Sequence, residues 1–175
     1  DRFEQLIKEA MAVRDDLRAK VEAKGALTGD IPDCAKWVGS TMEEFSAKGA
    51  VCGVLATADE NIRSLRELMI YGLKGIAAYA DHAAMLGYSV ESINAFVLQA
   101  MNAATEDLSV DELVGWVLKT GEQAVATMAM LDQANTETYG NPEITEVNIG
   151  VGTNPGILIS GHDLHDMEEL LKQTD

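Results

Sequence analysis

The sequence predicts a mainly α fold: a three-helix bundle with extra N-terminal helices, followed by a short β-β-α start of a Rossmann-like α/β domain. Three observations carry this expectation. Apolar residues recur at helical spacing over long stretches before position 135. Aromatics make up only 5% of the chain while alanine and methionine are plentiful, which suits closely packed helices. After Asn135 the β-branched residues Ile144, Val147, Ile149 and Val151 replace the alanine-rich pattern. The expected divisions are 1–56 for an N-terminal helix and irregular linker, 57–135 for the bundle, and 136–175 for the opening of the α/β domain.

In chain order, Phe3, Leu6, Ile7, Ala10, Val13, Leu17 and Val21 keep close to a 3.6-residue period, so residues 2 to about 24 read as an amphipathic helix stopped by Gly25. The stretch 26–33 is a linker broken by Gly and Pro. A short helical piece follows around Ala35 to Val38, then a helix through Phe45 to about Lys48, opened by a capping box of Ser40 and Glu43. Residues 49–56 suit a loop or a short strand equally. Thr57 and Glu60 read as a second capping box, opening the longest helix. Its stripe is Ile62, Leu65, Leu68, Met69, Leu73, Ile76, Ala77, Ala80, Ala83 and Ala84. Gly72 and Gly75 inside it point to close approach of another backbone, and Gly87 ends it. Ser89 is the expected cap of the next helix, with Ile93, Phe96, Val97, Ala100 and Met101 on one side. Ser109 with Glu112 opens a third, through Leu113, Trp116, Val117, Val125, Met128 and Leu131. Short turns between the three make an antiparallel bundle. Residues 136–143 are turn-rich, and Asn154-Pro155-Gly156 is a turn before the expected strand Ile157-Leu158-Ile159.

The formal net charge is −16. Phosphate-backbone binding needs clustered Lys and Arg, so nucleic acid is excluded as a partner, as are anionic membranes. No apolar run reaches the ~20 residues of a membrane span, and the first ten residues read as a charged amphipathic helix rather than a signal peptide. Cys34 and Cys52 stand far apart and in no zinc-type spacing, so both are expected as free thiols in a reducing cytoplasm.

Candidate chemistry concentrates in the run from Gly161 to Asp166. His162 stands at the carboxyl end of the expected strand, where open α/β sheets bind ligands. His162 and His165 are three apart, and Asp163 and Asp166 add carboxylates, so a modest divalent-metal site is one reading. The plainer reading is a helix start, with Asp163 or His162 at its amino end and His165 solvated. His82 reads as a packed or edge histidine. Trp37 and Trp116 read as core anchors, and Met69, Met101, Met128 and Met130 as core filler. Gly150, Gly152 and Gly156 lack the spacing of a dinucleotide site and suit a turn between strands. An α/β domain cannot bury a sheet with one or two strands, so the chain reads as a piece of a larger protein.

The runs 63–87, 131–150 and 154–174 resemble the hybrid-cluster protein family, also called prismane protein or hydroxylamine reductase. The resemblance covers most of the chain, is strongest from about position 57 onward, and is loose between 25 and 50. It implies a helical domain of two three-helix bundles followed by two α/β domains. This chain would supply the last helix of the first bundle, the second bundle, and the opening strand and helix of the first α/β domain. It implies a cubane-type iron–sulfur cluster and a hybrid Fe-S-O cluster in the parent. The hybrid cluster would be bound by histidine, glutamates and cysteines. Of these ligands only His162, in its Ser-Gly-His-Asp-Leu context, carries over; Cys34, Cys52 and His165 do not. The implied parent activity is reduction of hydroxylamine to ammonia, or of nitric oxide, with a small nitrogen substrate and a redox electron donor as partners. No cluster is expected on this chain alone, and the apolar surface it leaves open favours self-association. The second function class is a free-standing helical protein-interaction module.

Overall fold

The computed structural model describes residues 2–25, 31, 33–52 and 56–174. Seven helices and no strand occur among them. The chain divides into two compact units, Asp1–Arg66 and Glu67–Asp175.

In the first unit, α1 (Arg2–Ala23) ends where expected. Gly25 takes φ +64°, the left-handed conformation that suits glycine at a helix end, and its N–H donates to the Glu22 carbonyl. The apolar stripe of α1 is not buried: Phe3, Leu6, Val13, Leu17 and Val21 are all exposed. The short helix α2 spans Asp33–Lys36, earlier than the expected 35–38. Its carbonyl end is satisfied by side chains of α1: Arg14 Nη1 donates to the Trp37 carbonyl at 2.6 Å and Arg18 Nη1 to that of Ala35 at 3.2 Å. Trp37 then meets Phe45 edge-on at 5.8 Å, and Lys48 lies over the indole while pairing with Asp33. Gly39 is required there, because a Cβ would stand 2.3 Å from the Trp37 ring.

Helix α3 (Met42–Cys52) runs past Gly49 and settles the first part of 49–56 as helix, while 53–55 lie outside the described residues. So do 26–30 of the linker and the side chain of Cys34. The capping box of α3 is one residue later than expected. Thr41 Oγ1 accepts from the Glu44 N–H, and the Glu44 carboxylate accepts from Thr41 N–H and from the N–H and hydroxyl of Ser40. These donors, the Ser40 N–H foremost, hold the Glu44 carboxyl below its usual range.

Helices α4 (Glu60–Met85), α5 (Glu91–Ala103) and α6 (Val110–Tyr139) pack round one core, built from Met69, Leu73, Ile76, Ala83, Ile93, Phe96, Ala100, Met130 and Ala134. Most of these follow the apolar stripe. Six expected members do not: Leu68, Ala77, Ala84, Met101, Val125 and Met128 are exposed, since a stripe drawn by period alone is wider than the face its neighbours cover. Trp116 is half-buried against the core and lies 6.0 Å from Phe96. Thr120 and Thr127 are buried without cost in lost hydrogen bonds, because each hydroxyl donates to the carbonyl four residues back. Of the two glycines in α4, only Gly72 marks a close approach: a Cβ there would lie 2.6 Å from Thr120 Cγ2 of α6, whereas Gly75 faces open space.

Two caps differ from expectation. Asp59, not Thr57, opens α4, its carboxylate accepting from the N–H groups of Asn61 and Ile62. The N-cap of α5 is Val90, which offers no side-chain acceptor; Ser89 stands one residue too early and accepts instead from the Asn94 amide. The Ser109–Glu112 capping box of α6 forms as expected in both directions. Gly87 closes α4 at φ +85°, its N–H donating to the Ala84 carbonyl and that of Tyr88 to the Ala83 carbonyl.

Helix α6 continues through part of the expected turn region to Tyr139, with the Thr136 and Thr138 hydroxyls bonded to carbonyls of Asp132 and Ala134, and stops at Gly140 (φ +88°). The expected strands over 144–151 and 157–159 do not form. These segments have no backbone partner among the described residues, and a strand is stabilised only by a ladder and a covered face. Ile144, Ile149, Val151 and Leu158 are accordingly almost fully exposed, each at 95% or more. Helix α7 (Leu164–Thr174) follows. The β-β-α opening is therefore an irregular segment and a helix, with no sheet among the described residues.

Candidate metal centre

The candidate site lies where the irregular segment turns into α7. Asp163 is the N-cap: its Oδ1 accepts from the His165 N–H at 3.1 Å and its carbonyl from the Met167 N–H at 3.2 Å. His162 therefore precedes the cap and is not part of the helix. The spacing argument that pairs side chains three apart applies only within a helix. His165 lies inside α7 and His162 outside it, so the two do not make the helical pair that the spacing suggested.

His162 is exposed and lines an open cleft of about 430 Å³ with His82, Ile159, Ser160, Asp163, Leu164, Asp166, Met167 and Leu170 among its walls. Among the described residues no hydrogen bond engages its ring nitrogens. Its ring faces that of His82 of α4, with centroids 6.0 Å apart and planes at 58°. His82 Nε2 in turn stands 4.0 Å from Asp163 Oδ2, a separation at which attraction is electrostatic or carried by one water. The carboxylate of Asp163 is thus directed to the α7 amide and to His82.

A second tie holds α7 further along. The Tyr139 hydroxyl, at the end of α6, donates to Glu168 Oε2 at 3.2 Å, and Lys172 pairs with Glu168 and Glu169 at 2.9 Å each. Partial burial, then the hydrogen bond to Glu168, pushes the Tyr139 phenol up. Lys172 first and Tyr139 second hold the Glu168 carboxyl below its usual range.

Among the described residues no three His, Cys, Asp or Glu side chains converge as they must to hold a metal ion. The divalent site drawn from His162, His165 and the aspartates is therefore not assembled here. An iron–sulfur centre takes most of its ligands as thiolates, and the described free thiol, Cys52, is exposed at the end of α3. Among the described residues, His162 is an open imidazole at a cleft mouth, which fits a single ligand position. Sequence reasoning missed His82 as a neighbour of His162. It sits on a different helix, and no local pattern links the two.

A three-helix bundle followed by an irregular segment and a further helix, with His162 exposed at a cleft between them, defines a mainly helical module. The chain belongs to the Prismane/CO dehydrogenase family, whose model matches residues 1–175. It is 58% identical over 171 residues to a hydroxylamine reductase of Desulfosudis oleivorans, covering 97% of this chain and 31% of that protein. It is 57% identical to a hydroxylamine reductase of Nitratidesulfovibrio vulgaris over 99% of this chain and 32% of the relative, and 51% identical to one of Clostridium perfringens over the same shares. The chain thus spans about a third of the length of the curated relatives it matches. No helix among the described residues is long and apolar enough to cross a membrane.

Proposed function

We propose that the parent of this chain is a cytoplasmic iron–sulfur oxidoreductase that reduces hydroxylamine to ammonia, or nitric oxide, at a hybrid Fe-S-O cluster. His162 is one ligand of that cluster. The division into 1–56, 57–135 and 136–175 belongs to the same proposal. The observation that carries it is the position of His162. It is exposed at a cleft, with no hydrogen bond to its ring among the described residues, in a chain 58% identical to a hydroxylamine reductase over nearly its full extent.

In the reduction, two electrons and two protons convert hydroxylamine to ammonia and water, breaking the N–O bond. The clusters, when bound, supply the electrons and an iron site for the nitrogen or oxygen of the substrate. The work of this chain is positional. His162 lines the open cleft and would offer a ring nitrogen to the cluster, and the core of α4, α5 and α6 supports the segment that carries it. A neutral substrate such as hydroxylamine is not repelled by the acidic surface, so the net charge of −16 does not oppose its approach.

The test is His162→Ala in the full-length parent. Loss of the hybrid-cluster spectrum together with reductase activity is the expected outcome, whereas an intact cluster removes His162 from the ligand set and favours the interaction-module or weak metal-binding reading. This chain alone is expected to be inactive. Anaerobic iron–sulfur reconstitution should leave it without a stable hybrid-cluster spectrum.

A further inference from the structure

We propose that His82 and Tyr139 are positioning residues for His162: from α4 and α6 they hold the two ends of the first turns of α7, and so aim the imidazole that precedes it. This goes beyond the assignment of His162 as a ligand and rests on that assignment for its consequence in the parent, though not for the contacts themselves.

Three contacts converge. The His82 ring stands beside that of His162, with centroids 6.0 Å apart. The same imidazole faces Asp163 Oδ2 at 4.0 Å, and Asp163 is the cap on which α7 starts. Five residues on, Glu168 is fixed by the Tyr139 hydroxyl at 3.2 Å. The segment leading into α7 has no ladder to orient it, and Ile144, Ile149, Val151 and Leu158 are exposed. Regular structure before the site therefore does not set the direction of His162. Side-chain ties to the bundle do. A ligand must be held to within about half an ångström of its working geometry, and that is the duty of such supporting contacts.

The groups are accessible to substitution without touching the core. His82 is half-buried at the cleft rim, beside the core alanine Ala83 but not part of it, and Tyr139 ends its helix. The experiment compares His82→Leu, His82→Gln and Tyr139→Phe in two settings. In this chain, proton–carbon NMR of the His162 ring and amide exchange of residues 167–171 are read, with the amides of α4–α6 as an internal control for folding. His82→Leu is expected to shift the His162 ring signals, and both His82→Leu and Tyr139→Phe to speed exchange in α7 about tenfold, as loss of one tie implies. The bundle amides should stay unchanged. His82→Gln, which keeps an N–H near the place of Nε2, restores most of the exchange protection.

In the full-length parent, His82→Leu is expected to alter the spectrum of the hybrid cluster and lower kcat more than it raises KM, again with recovery in His82→Gln. Unchanged ring signals and unchanged α7 exchange in His82→Leu overturn the proposal, as does a Gln variant no better than Leu. If instead the NMR changes appear in the chain while His162→Ala leaves the parent's cluster intact, the positioning holds. In that case the ligand assignment alone fails.

Discussion

At the scale of single residues, the two glycines of α4 separate backbone need from tolerance. Gly72→Ala places a methyl 2.6 Å from Thr120 Cγ2, and Thr120 cannot swing away without giving up its bond to the Trp116 carbonyl. Overpacking of this kind costs about 1–3 kcal/mol, against the ~1 kcal/mol that alanine gains over glycine in a helix. The variant should therefore lose up to about 2 kcal/mol net. Gly75→Ala meets nothing within 4 Å and should gain up to about 1 kcal/mol. Urea denaturation midpoints of the pair check this, and a Gly72→Ala protein more stable than the wild type would contradict the close approach. The sequence pointed to both glycines equally, because helix period says nothing about what lies opposite. The same blindness applies to His82 and His162, whose ring contact joins α4 to the segment before α7.

At the scale of elements, caps were legible where the acceptor sits at the N-cap and its carboxylate three residues on. Ser109 and Glu112 form such a box, and Ser109→Ala should cost about 1 kcal/mol of stability. The Glu112 carboxyl is held below its usual range by the Ser109 hydroxyl first and its N–H second. A depressed carboxyl contributes stability that is present above its unfolded value and lost as pH falls through its folded one. Thermal melts from about pH 6 down to about pH 3 should therefore show a shallower acid loss in Ser109→Ala than in the wild type. Equal slopes would mean that the box contributes nothing to the acid response. The other caps were misplaced by one or two residues, to Thr41, Asp59 and Val90, because several residues near each helix start can cap and only the fold of the preceding turn selects among them.

For the whole molecule, charge and exposed apolar surface oppose each other. A net charge of −16 keeps copies apart, while Ile144, Ile149, Val151 and Leu158 stand almost fully in water and the apolar residues of α1 are uncovered. Salt screens the first and leaves the second, with a Debye length of about 8 Å at physiological ionic strength. Sedimentation velocity should show self-association that grows with added salt and weakens in Leu158→Ser. A monomer at all salt concentrations would show that these side chains do not mediate contact between copies.

By itself the sequence determined the helices of the bundle and much of its core, Met69, Leu73, Ile76, Ile93, Phe96 and Ala100, because helical period and burial are local properties. It also singled out His162, through resemblance to a family that the comparisons then showed. Tertiary structure alone decided what depends on partners distant in sequence. Leu68 and Val125 turned outward for want of a facing helix, and the β-branched segment stayed irregular without a neighbouring strand. His82 came to rest beside His162 for a related reason: a residue's own sequence dictates which way it can point along its helix, but only packing dictates what it meets there.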